Sequence, residues 1–258
     1  MKRRIFLCQG LGCTLAAAAL AFSGSAAAAL PDTVARVKRS VVGVGTHLQT
    51  RSPAIVFAGT GFVVGDGLSV ITNAHVVPDT LDGTRKETLG VVVGDGAAVA
   101  FRQATLVALD REHDLAHLRL QGALLPALSL AERDDAREGQ VLAFTGFPLG
   151  MVLGLYPATH RALLAAITPV VRPSLSARGL DARAISQIQR APFTVFQLDG
   201  TAYPGNSGSP VFDPDTGTVL AVVNMVFVKG LKETAITNPS GITYAVPASH
   251  VRALLQRP

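Results

Sequence analysis

The chain has 258 residues, of which 48% are hydrophobic and 16% are charged. This composition supports a sizeable folded core and excludes an intrinsically disordered chain. The formal charge of +5 falls to +2 when residues 1–29 are set aside, because they carry Lys2, Arg3 and Arg4 and no acidic residue. A nearly neutral chain lacks the basic surface of a nucleic-acid-binding protein, so we expect no nucleic-acid partner.

Residues 1–29 have the pattern of a secretion signal. A positively charged start is followed by an apolar stretch at 13–22 and by small residues at 25–29, where cleavage is expected. Arg3-Arg4-Ile5-Phe6-Leu7 also resembles a twin-arginine export motif, with an ordinary Sec signal as the alternative. The sequence therefore predicts a mature protein of residues 30–258 that is periplasmic or secreted.

The mature chain is predicted to be stabilised by packing alone. Both cysteines, Cys8 and Cys13, lie in the predicted signal, so no internal disulfide is expected. No later apolar run approaches the ~20 residues that span a bilayer. We therefore expect no stable membrane insertion after signal cleavage.

The first half of the mature chain is predicted to be rich in β-strands after one short helix at 32–39. Runs of Val, Ile and Leu alternate with turns such as Gly65-Asp66-Gly67. Strands are predicted at 41–48, 56–64, 68–72, 89–93, 98–108 and 115–120. Frequent short strands without long intervening helices favour an antiparallel barrel, here placed at 40–129.

The second half repeats this pattern after a polar link at 130–139. Strands are predicted at 141–147, 163–168, 194–197, 209–212, 218–228 and 241–246. They form a second barrel at 140–246, and a C-terminal helix at 247–256 opens at Pro247. Residues 172–190 lack clean β alternation and are interpreted as an insertion.

Three residues in separate segments are candidates for catalysis. Ser207 lies in Gly205-Asn206-Ser207-Gly208-Ser209, where small residues allow a sharp turn and can bring amide groups together. A plain surface turn is the alternative for this segment. His75 and Asp114 each precede apolar residues of strand type. The chain order is His75, Asp114, Ser207.

This order resembles the chymotrypsin-like serine peptidases, particularly the bacterial HtrA-type proteases and the glutamyl endopeptidase-like group. The matching segments are 59–64, 71–77, 110–120, 145–150, 199–211 and 241–247. The resemblance implies an all-β fold of two antiparallel barrels. It also implies a serine endopeptidase that forms an acyl-enzyme on a protein or peptide substrate without a cofactor or a metal.

The resemblance assigns a role to each candidate. Ser207 would be the nucleophile, His75 the general base, and Asp114 the group that fixes the His75 tautomer. The amides of Gly205 and Ser207 would form the oxyanion hole. The specificity pocket would lie between two segments, Thr201, Ala202 and Tyr203 on one side and Val223, Asn224 and Met225 on the other. None of the six is charged, which predicts a preference for small or medium aliphatic residues before the cleaved bond.

The chain also departs from the HtrA pattern. HtrA-type proteases carry two glycines after the nucleophile, whereas this chain has Gly208-Ser209-Pro210, which is closer to the glutamyl endopeptidase-like group. The strand after Ser207, however, offers no basic residue of the kind that the resemblance to that group would imply for glutamate specificity. Only residues 256–258 follow Leu255, so no PDZ domain is expected. A catalytically latent protein that binds peptides or acts as a chaperone is the alternative function.

Three rival sites are less consistent with the sequence. His113 and His117 have the spacing of helical metal ligands, but residues 115–120 are predicted to be a strand. An α/β-hydrolase would use Ser207 with Asp213 or Asp215 and His250, but the serine segment lacks the final glycine of a nucleophile elbow. Asp110 competes with Asp114 as the acid.

Overall fold

Two closed six-stranded antiparallel barrels form the fold. The computed structural model describes residues 30–96, 98–150, 154–170, 193–224 and 241–257. The predicted fold class is confirmed. The predicted signal at 1–29, the whole 172–190 insertion and Met225 lie outside the described residues.

The first barrel contains the strands β1 to β6, in the order β1-β2-β3-β6-β5-β4. Their bounds are β1 Val41–His47, β2 Ile55–Val64, β3 Ser69–Thr72, β4 Thr88–Asp95, β5 Ala98–Asp110 and β6 Leu115–Leu120. The end of β3 pairs with the start of β6, with Thr72 opposite Ala116. The residues that follow β3 therefore lie beside those that precede β6.

The second barrel contains β7 to β12, in the order β10-β11-β12-β9-β8-β7. Their bounds are β7 Val141–Gly146, β8 Ala158–Pro169, β9 Thr194–Asp199, β10 Pro210–Phe212, β11 Val219–Asn224 and β12 Ile242–Pro247. Strand β8 begins five residues before the predicted start at 163. Its first residues include Thr159, His160 and Arg161, which mask the apolar pattern used for the prediction.

Two α-helices flank the barrels in the described part of the chain, α1 at Leu30–Lys38 and α2 at Ala248–Leu255. Pro247 was predicted to open the C-terminal helix as a helical residue. It is instead the last residue of β12 and the N-cap of α2, with an extended ψ of 148°. No helix among the described residues has the length and apolarity needed to cross a membrane.

Three apolar clusters hold the fold together. Residues such as Val63 and Leu118 fill the first barrel, and Phe144 and Leu198 fill the second. The third cluster lies between the barrels and beneath α2, and combines side chains of both halves, including Phe62, Ile71, Phe147, Phe212 and Val251. Burying such large side chains stabilises the junction by about 1.5–3 kcal/mol each. The loops that meet at this junction are therefore held by a packed interface.

Candidate active site

His75 lies directly after β3, in a 3₁₀ turn at Ala74–Val76. Ala74 and Val76 are buried, which anchors the turn, and the His75 side chain between them keeps 26% of its surface exposed. The turn thus presents an imidazole to solvent from a rigid base. An imidazole on such a base is suited to proton transfer.

Asp114 lies in the turn before β6 and holds His75 through two hydrogen bonds. Its Oδ1 accepts the His75 backbone amide at 2.9 Å, and its Oδ2 lies 2.6 Å from His75 Nδ1. The Asp114 carbonyl accepts hydrogen bonds from the Ala74 amide at 3.1 Å and from Asn73 Nδ2 at 3.0 Å. Asp114 adopts a left-handed φ of 55°, a conformation that Asp tolerates better than most residues. The side chain and the backbone of Asp114 are therefore both fixed to the His75 segment.

Asn224 also contacts the Asp114 carboxylate, and this contact was not predicted from the sequence. Its Nδ2 donates to Asp114 Oδ2 at 2.9 Å, and the residue is fully buried. Asn224 was predicted to line the specificity pocket; its side chain is instead turned toward Asp114. It brings the second barrel into contact with the His75 and Asp114 pair.

Asn224→Ala is expected to lower kcat by about 10-fold, because a hydrogen bond to a charged group contributes about 1.5–3 kcal/mol. Asn224→Asp should lower kcat further, since it replaces the donor with a second carboxylate beside Asp114. Steady-state peptide hydrolysis measures both effects. Equal kcat values for Asn224→Ala and the unmodified chain would show that the contact has no catalytic effect.

Ser207 lies in a compact turn that leads into β10. The turn is closed by Asn206 N to Tyr203 O at 2.9 Å and by Gly208 N to Val223 O at 3.0 Å. Gly208 has a φ of 87°, and a Cβ there would overlap the Thr60 carbonyl oxygen. Only glycine therefore fits directly after Ser207.

Thr60 of β2 ties this turn to the first barrel. Its amide donates to the Ser207 carbonyl at 2.8 Å, and its Oγ1 donates to the Gly205 carbonyl at 2.6 Å. A Cβ added to the neighbouring Gly59 would lie 2.6 Å from Val76 Cγ2 and 3.1 Å from the Ser207 carbonyl oxygen. The His75 turn and the Ser207 turn therefore lie side by side against β2.

The predicted oxyanion donors are the amides of Gly205 and Ser207. Leu149 N donates to the Pro204 carbonyl at 2.7 Å, which turns the Gly205 N–H of the same peptide away from Leu149. Gly205 has a φ of 100°, and a Cβ there would overlap the Phe147 carbonyl oxygen. Neither amide donates to any residue within the described ranges. As far as the described residues are concerned, both are available to a ligand.

The Ser207 side chain is 7% exposed, and its hydroxyl has no hydrogen-bond partner among the described residues, His75 included. Hydrogen bonds between a nucleophile and its base are often long without substrate and tighten when it binds. The described side chains thus form a bonded His75 and Asp114 pair with an unpaired serine hydroxyl in the adjoining turn.

The predicted residues of the specificity pocket differ in their exposure. Thr201 and Ala202 are half-buried and Tyr203 is 38% exposed. The Ala202 amide donates to Thr243 Oγ1 at 3.0 Å, which fixes this segment to β12. Val223 was predicted to face the pocket, but its side chain is fully buried in the second-barrel core because β11 is buried along its whole length.

The rival acid Asp110 contacts a different histidine. Its Oδ2 lies 2.8 Å from His113 Nδ1, and its Oδ1 accepts the Glu112 and His113 amides. Burial opposes ionisation, but the hydrogen bonds from His113 hold the pKa of Asp110 below its usual range. Asp114 is the carboxylate that contacts His75.

The residues of the other two rival sites are dispersed. Asp213 caps a turn through the amides of Asp215 and Thr216, and His250 stacks on His113. His117 is buried on β6. Within the described part of the chain, no three His, Cys, Asp or Glu side chains are arranged to bind a metal ion.

Stability is expected to fall between pH 7 and pH 5 because of His250. Burial, and then the charge of nearby His113, lowers the pKa of His250 to about 4 from 6.5. Below pH 6.5 the unfolded chain therefore gains a proton that the folded chain takes up only near pH 4, so stability present above pH 6.5 is lost on acidification. Burial lowers the pKa of His117 and His160 in the same direction.

We expect the His250 contribution over this interval to be about 1–2 kcal/mol. Urea unfolding at pH 7 and pH 5 measures the loss. His250→Phe keeps a ring and should reduce the pH dependence, whereas Asp110 contributes only at lower pH. An unchanged pH dependence in His250→Phe would contradict the assignment.

Comparison with known proteins decides the family. A family model described as the trypsin-like peptidase domain matches residues 59–222. The chain belongs to this family. The matched part of the peptidase domain includes His75, Asp114 and Ser207.

Curated relatives of the peptidase domain include several proteases. A probable periplasmic serine endoprotease DegP-like of Halomonas elongata is 28% identical over 73% of the chain and 32% of the relative. A DegP-like protein of Chlamydia pneumoniae is 32% identical over 74% of the chain and 32% of the relative. The mitochondrial serine protease HTRA2 of Drosophila pseudoobscura is 30% identical over 80% of the chain and 40% of the relative. The chain spans less than half of each of these relatives.

Solved structures share the fold of the peptidase domain. The serine endoprotease from Yersinia pestis has a TM-score of 0.60 at 20% identity, covering 88% of this chain and 65% of that one. A Mycobacterium tuberculosis protease in its active form has a TM-score of 0.60 at 24% identity, covering 86% and 82%. At these identities the similarity establishes the two-barrel architecture.

Proposed function

We propose that the chain is an exported serine endopeptidase that hydrolyses peptide bonds through Ser207, His75 and Asp114. The observation that carries this proposal is the paired hydrogen bonding of one carboxylate to the His75 amide and imidazole, 2.9 and 2.6 Å. This pair adjoins a glycine-flanked serine turn with two available amides. Membership of the trypsin-like peptidase family supports the same chemistry.

The reaction begins when Ser207 Oγ attacks the substrate carbonyl carbon. His75 Nε2 takes the hydroxyl proton as the new C–O bond forms, and the Gly205 and Ser207 amides donate to the resulting oxyanion. The C–N bond then breaks, and His75 returns the proton to the departing amine. An acyl-enzyme ester remains on Ser207.

Water completes the cycle. The water oxygen attacks the ester carbonyl carbon while His75 removes a proton from that water. His75 then donates this proton to Ser207 Oγ as the C–O bond breaks and the acid product leaves. Asp114 stays ionised throughout. It accepts the hydrogen bond from the Nδ1–H group of His75 and stabilises the imidazolium that forms at each step. The Asn224 donor would keep that carboxylate oriented.

The predicted signal at 1–29 and the printed names of two relatives support export. Both DegP-like relatives are described as probable periplasmic proteins. We therefore place the mature peptidase in the periplasm or outside the cell. Its substrates would be proteins or peptides.

Cleavage is expected after small or medium aliphatic residues. The half-buried Thr201 and Ala202 and the exposed Tyr203 would form one wall of the pocket, and none carries a charge that would pair with a buried Arg, Lys or Glu of the substrate. One methylene changes such a preference by about 1–3 kcal/mol, so Ala, Val and Leu should differ modestly. Mass spectrometry of a peptide-library digest, with Ser207→Ala as the control, tests both activity and preference. A dominant charged residue before the cleaved bond would contradict the pocket assignment.

The Ser207 hydroxyl, which has no partner in the part of the chain that the structure describes, supports a second candidate, a latent peptidase fold that binds peptides without cleaving them. A latent protein would bind library peptides and leave them intact. An active peptidase would produce cleavages that Ser207→Ala abolishes.

A further inference from the structure

A second group of side chains, four of them ionisable, is centred on the turn at 110–113, directly before Asp114. We name it the Asp110 cluster and define it as Asp110, His113, Phe193, His250 and Arg257. The His113 and His250 rings stack with centroids 3.8 Å apart and planes at 22°. Phe193 meets both rings edge-on. The proposed mechanism uses none of these residues.

The Asp110 carboxylate stabilises the turn that directly precedes Asp114 through hydrogen bonds. Asp110 is 4% exposed. Its Oδ1 accepts the backbone amides of Glu112 at 3.0 Å and His113 at 3.1 Å, and its Oδ2 contacts the His113 ring. The next residue is Asp114, in its left-handed conformation. A change in this turn would therefore move the carboxylate that holds His75.

The C-terminal helix and the residues directly after it contact the same turn. Arg257 Nη2 donates to Asp110 Oδ2 at 2.6 Å, which offsets the charge of a buried carboxylate. His250 of α2 covers the His113 ring. The helix itself is anchored by buried Val251 and Leu254 in the cluster between the barrels.

We infer that His250 and Arg257 are positioning residues for Asp114. They act through the turn that the Asp110 carboxylate holds, so docking of the C-terminal helix sets the geometry of the His75 and Asp114 pair. The inference rests on the proposed function, because positioning matters for turnover only if the triad acts. It links α2 and the residues after it to the proposed catalytic acid indirectly, through Asp110 and His113.

Arg257→Gln tests the inference, with Arg252→Gln as the matched control. Arg252 lies on α2, five residues before Arg257, but binds the Ala131 carbonyl and Asp134, away from the turn. We expect Arg257→Gln to lower kcat about 10-fold with KM changed less than twofold, and Arg257→Lys to restore part of the loss. Arg252→Gln should stay within twofold of the unmodified chain. The Arg257 side chain is 45% exposed, so its replacement is compatible with folding.

A measurement without turnover separates this inference from the proposed function. The Nδ1 proton of His75 in its short bond to Asp114 gives a low-field NMR resonance, identified by its loss in His75→Ala. We expect Arg257→Gln to shift or broaden this resonance and Arg252→Gln to leave it unchanged. If the unmodified chain cleaves no peptide, the proposed function fails, and the resonance alone decides the inference.

An unchanged resonance together with an unchanged kcat in Arg257→Gln would overturn the inference. If Arg257→Gln does not fold, the pair His250→Ala and His250→Phe replaces it. His250→Phe keeps the ring on His113 and should preserve the resonance, whereas His250→Ala should alter it. Identical spectra for these two variants would equally overturn the inference.

Discussion

Ser207→Ala is expected to lower kcat for peptide hydrolysis by about 10⁴-fold or more and to leave the fold intact. The substitution removes the only atom that forms the acyl-enzyme bond in the proposed mechanism, and removing a triad member leaves only the catalysis supplied by binding and the oxyanion donors. The hydroxyl has no partner among the described residues, so its loss breaks no structural hydrogen bond there.

Ser209→Ala is the matched control for this prediction. Ser209 lies two residues further along, and its Oγ is buried without a partner in the described part of the chain. Its removal should change kcat by less than about threefold, because Ser209 has no role in the proposed chemistry. Comparable losses in both variants would show that the segment is sensitive to any substitution, which would remove the case for Ser207 as nucleophile.

Asp114→Asn is expected to lower kcat by about 10⁴-fold. The amide is nearly isosteric with the carboxylate, so the two contacts to His75 keep their lengths. An amide nitrogen facing Nδ1, however, favours the imidazole tautomer that cannot take the Ser207 proton, and the imidazolium loses its counter-charge. Stopped-time peptide assays with high enzyme concentration measure losses of this size.

Asp110→Asn is the comparison for the choice of acid. It weakens the contacts to His113 and Arg257 and should lower stability by several kcal/mol, with a loss of kcat of about 10-fold through the turn. The free energy of unfolding is measured beside kcat for both variants. A larger kcat loss in Asp110→Asn than in Asp114→Asn, with both proteins folded, would contradict the assignment of Asp114.

The sequence predicted the barrels because their signals are local. Alternating apolar runs and Gly-containing turns mark ten of the strands close to both observed bounds, and the predicted end of β11 lies outside the described residues. The segments around His75, Asp114 and Ser207 resemble known motifs. The start of β8 was missed because Thr159, His160 and Arg161 are polar. Periodicity does not detect a strand whose residues pair within a barrel but carry polar side chains.

The supporting contacts of the site were not predictable in this way. Asn224 reaches Asp114 across 110 positions, and Thr60 reaches Gly205 across 145. Such partners are determined by how the two barrels pack. The sequence pattern of one segment therefore does not identify the residue that it contacts in the other. The same limit applies to the assignment of Val223 and Asn224 to the pocket. The sequence did not show that β11 turns Val223 into the barrel core and, on its other face, Asn224 toward Asp114.

Covalent labelling of the mature chain with a fluorophosphonate tests whether Ser207 is an activated nucleophile, because this reagent needs an activated serine but no knowledge of the substrate. Intact-mass and peptide mass spectrometry read out the modified residue. We expect one adduct per chain, located on Ser207, present in Ser209→Ala and absent from both Ser207→Ala and His75→Ala. A folded chain that acquires no adduct, or an adduct that persists in Ser207→Ala, would contradict this assignment.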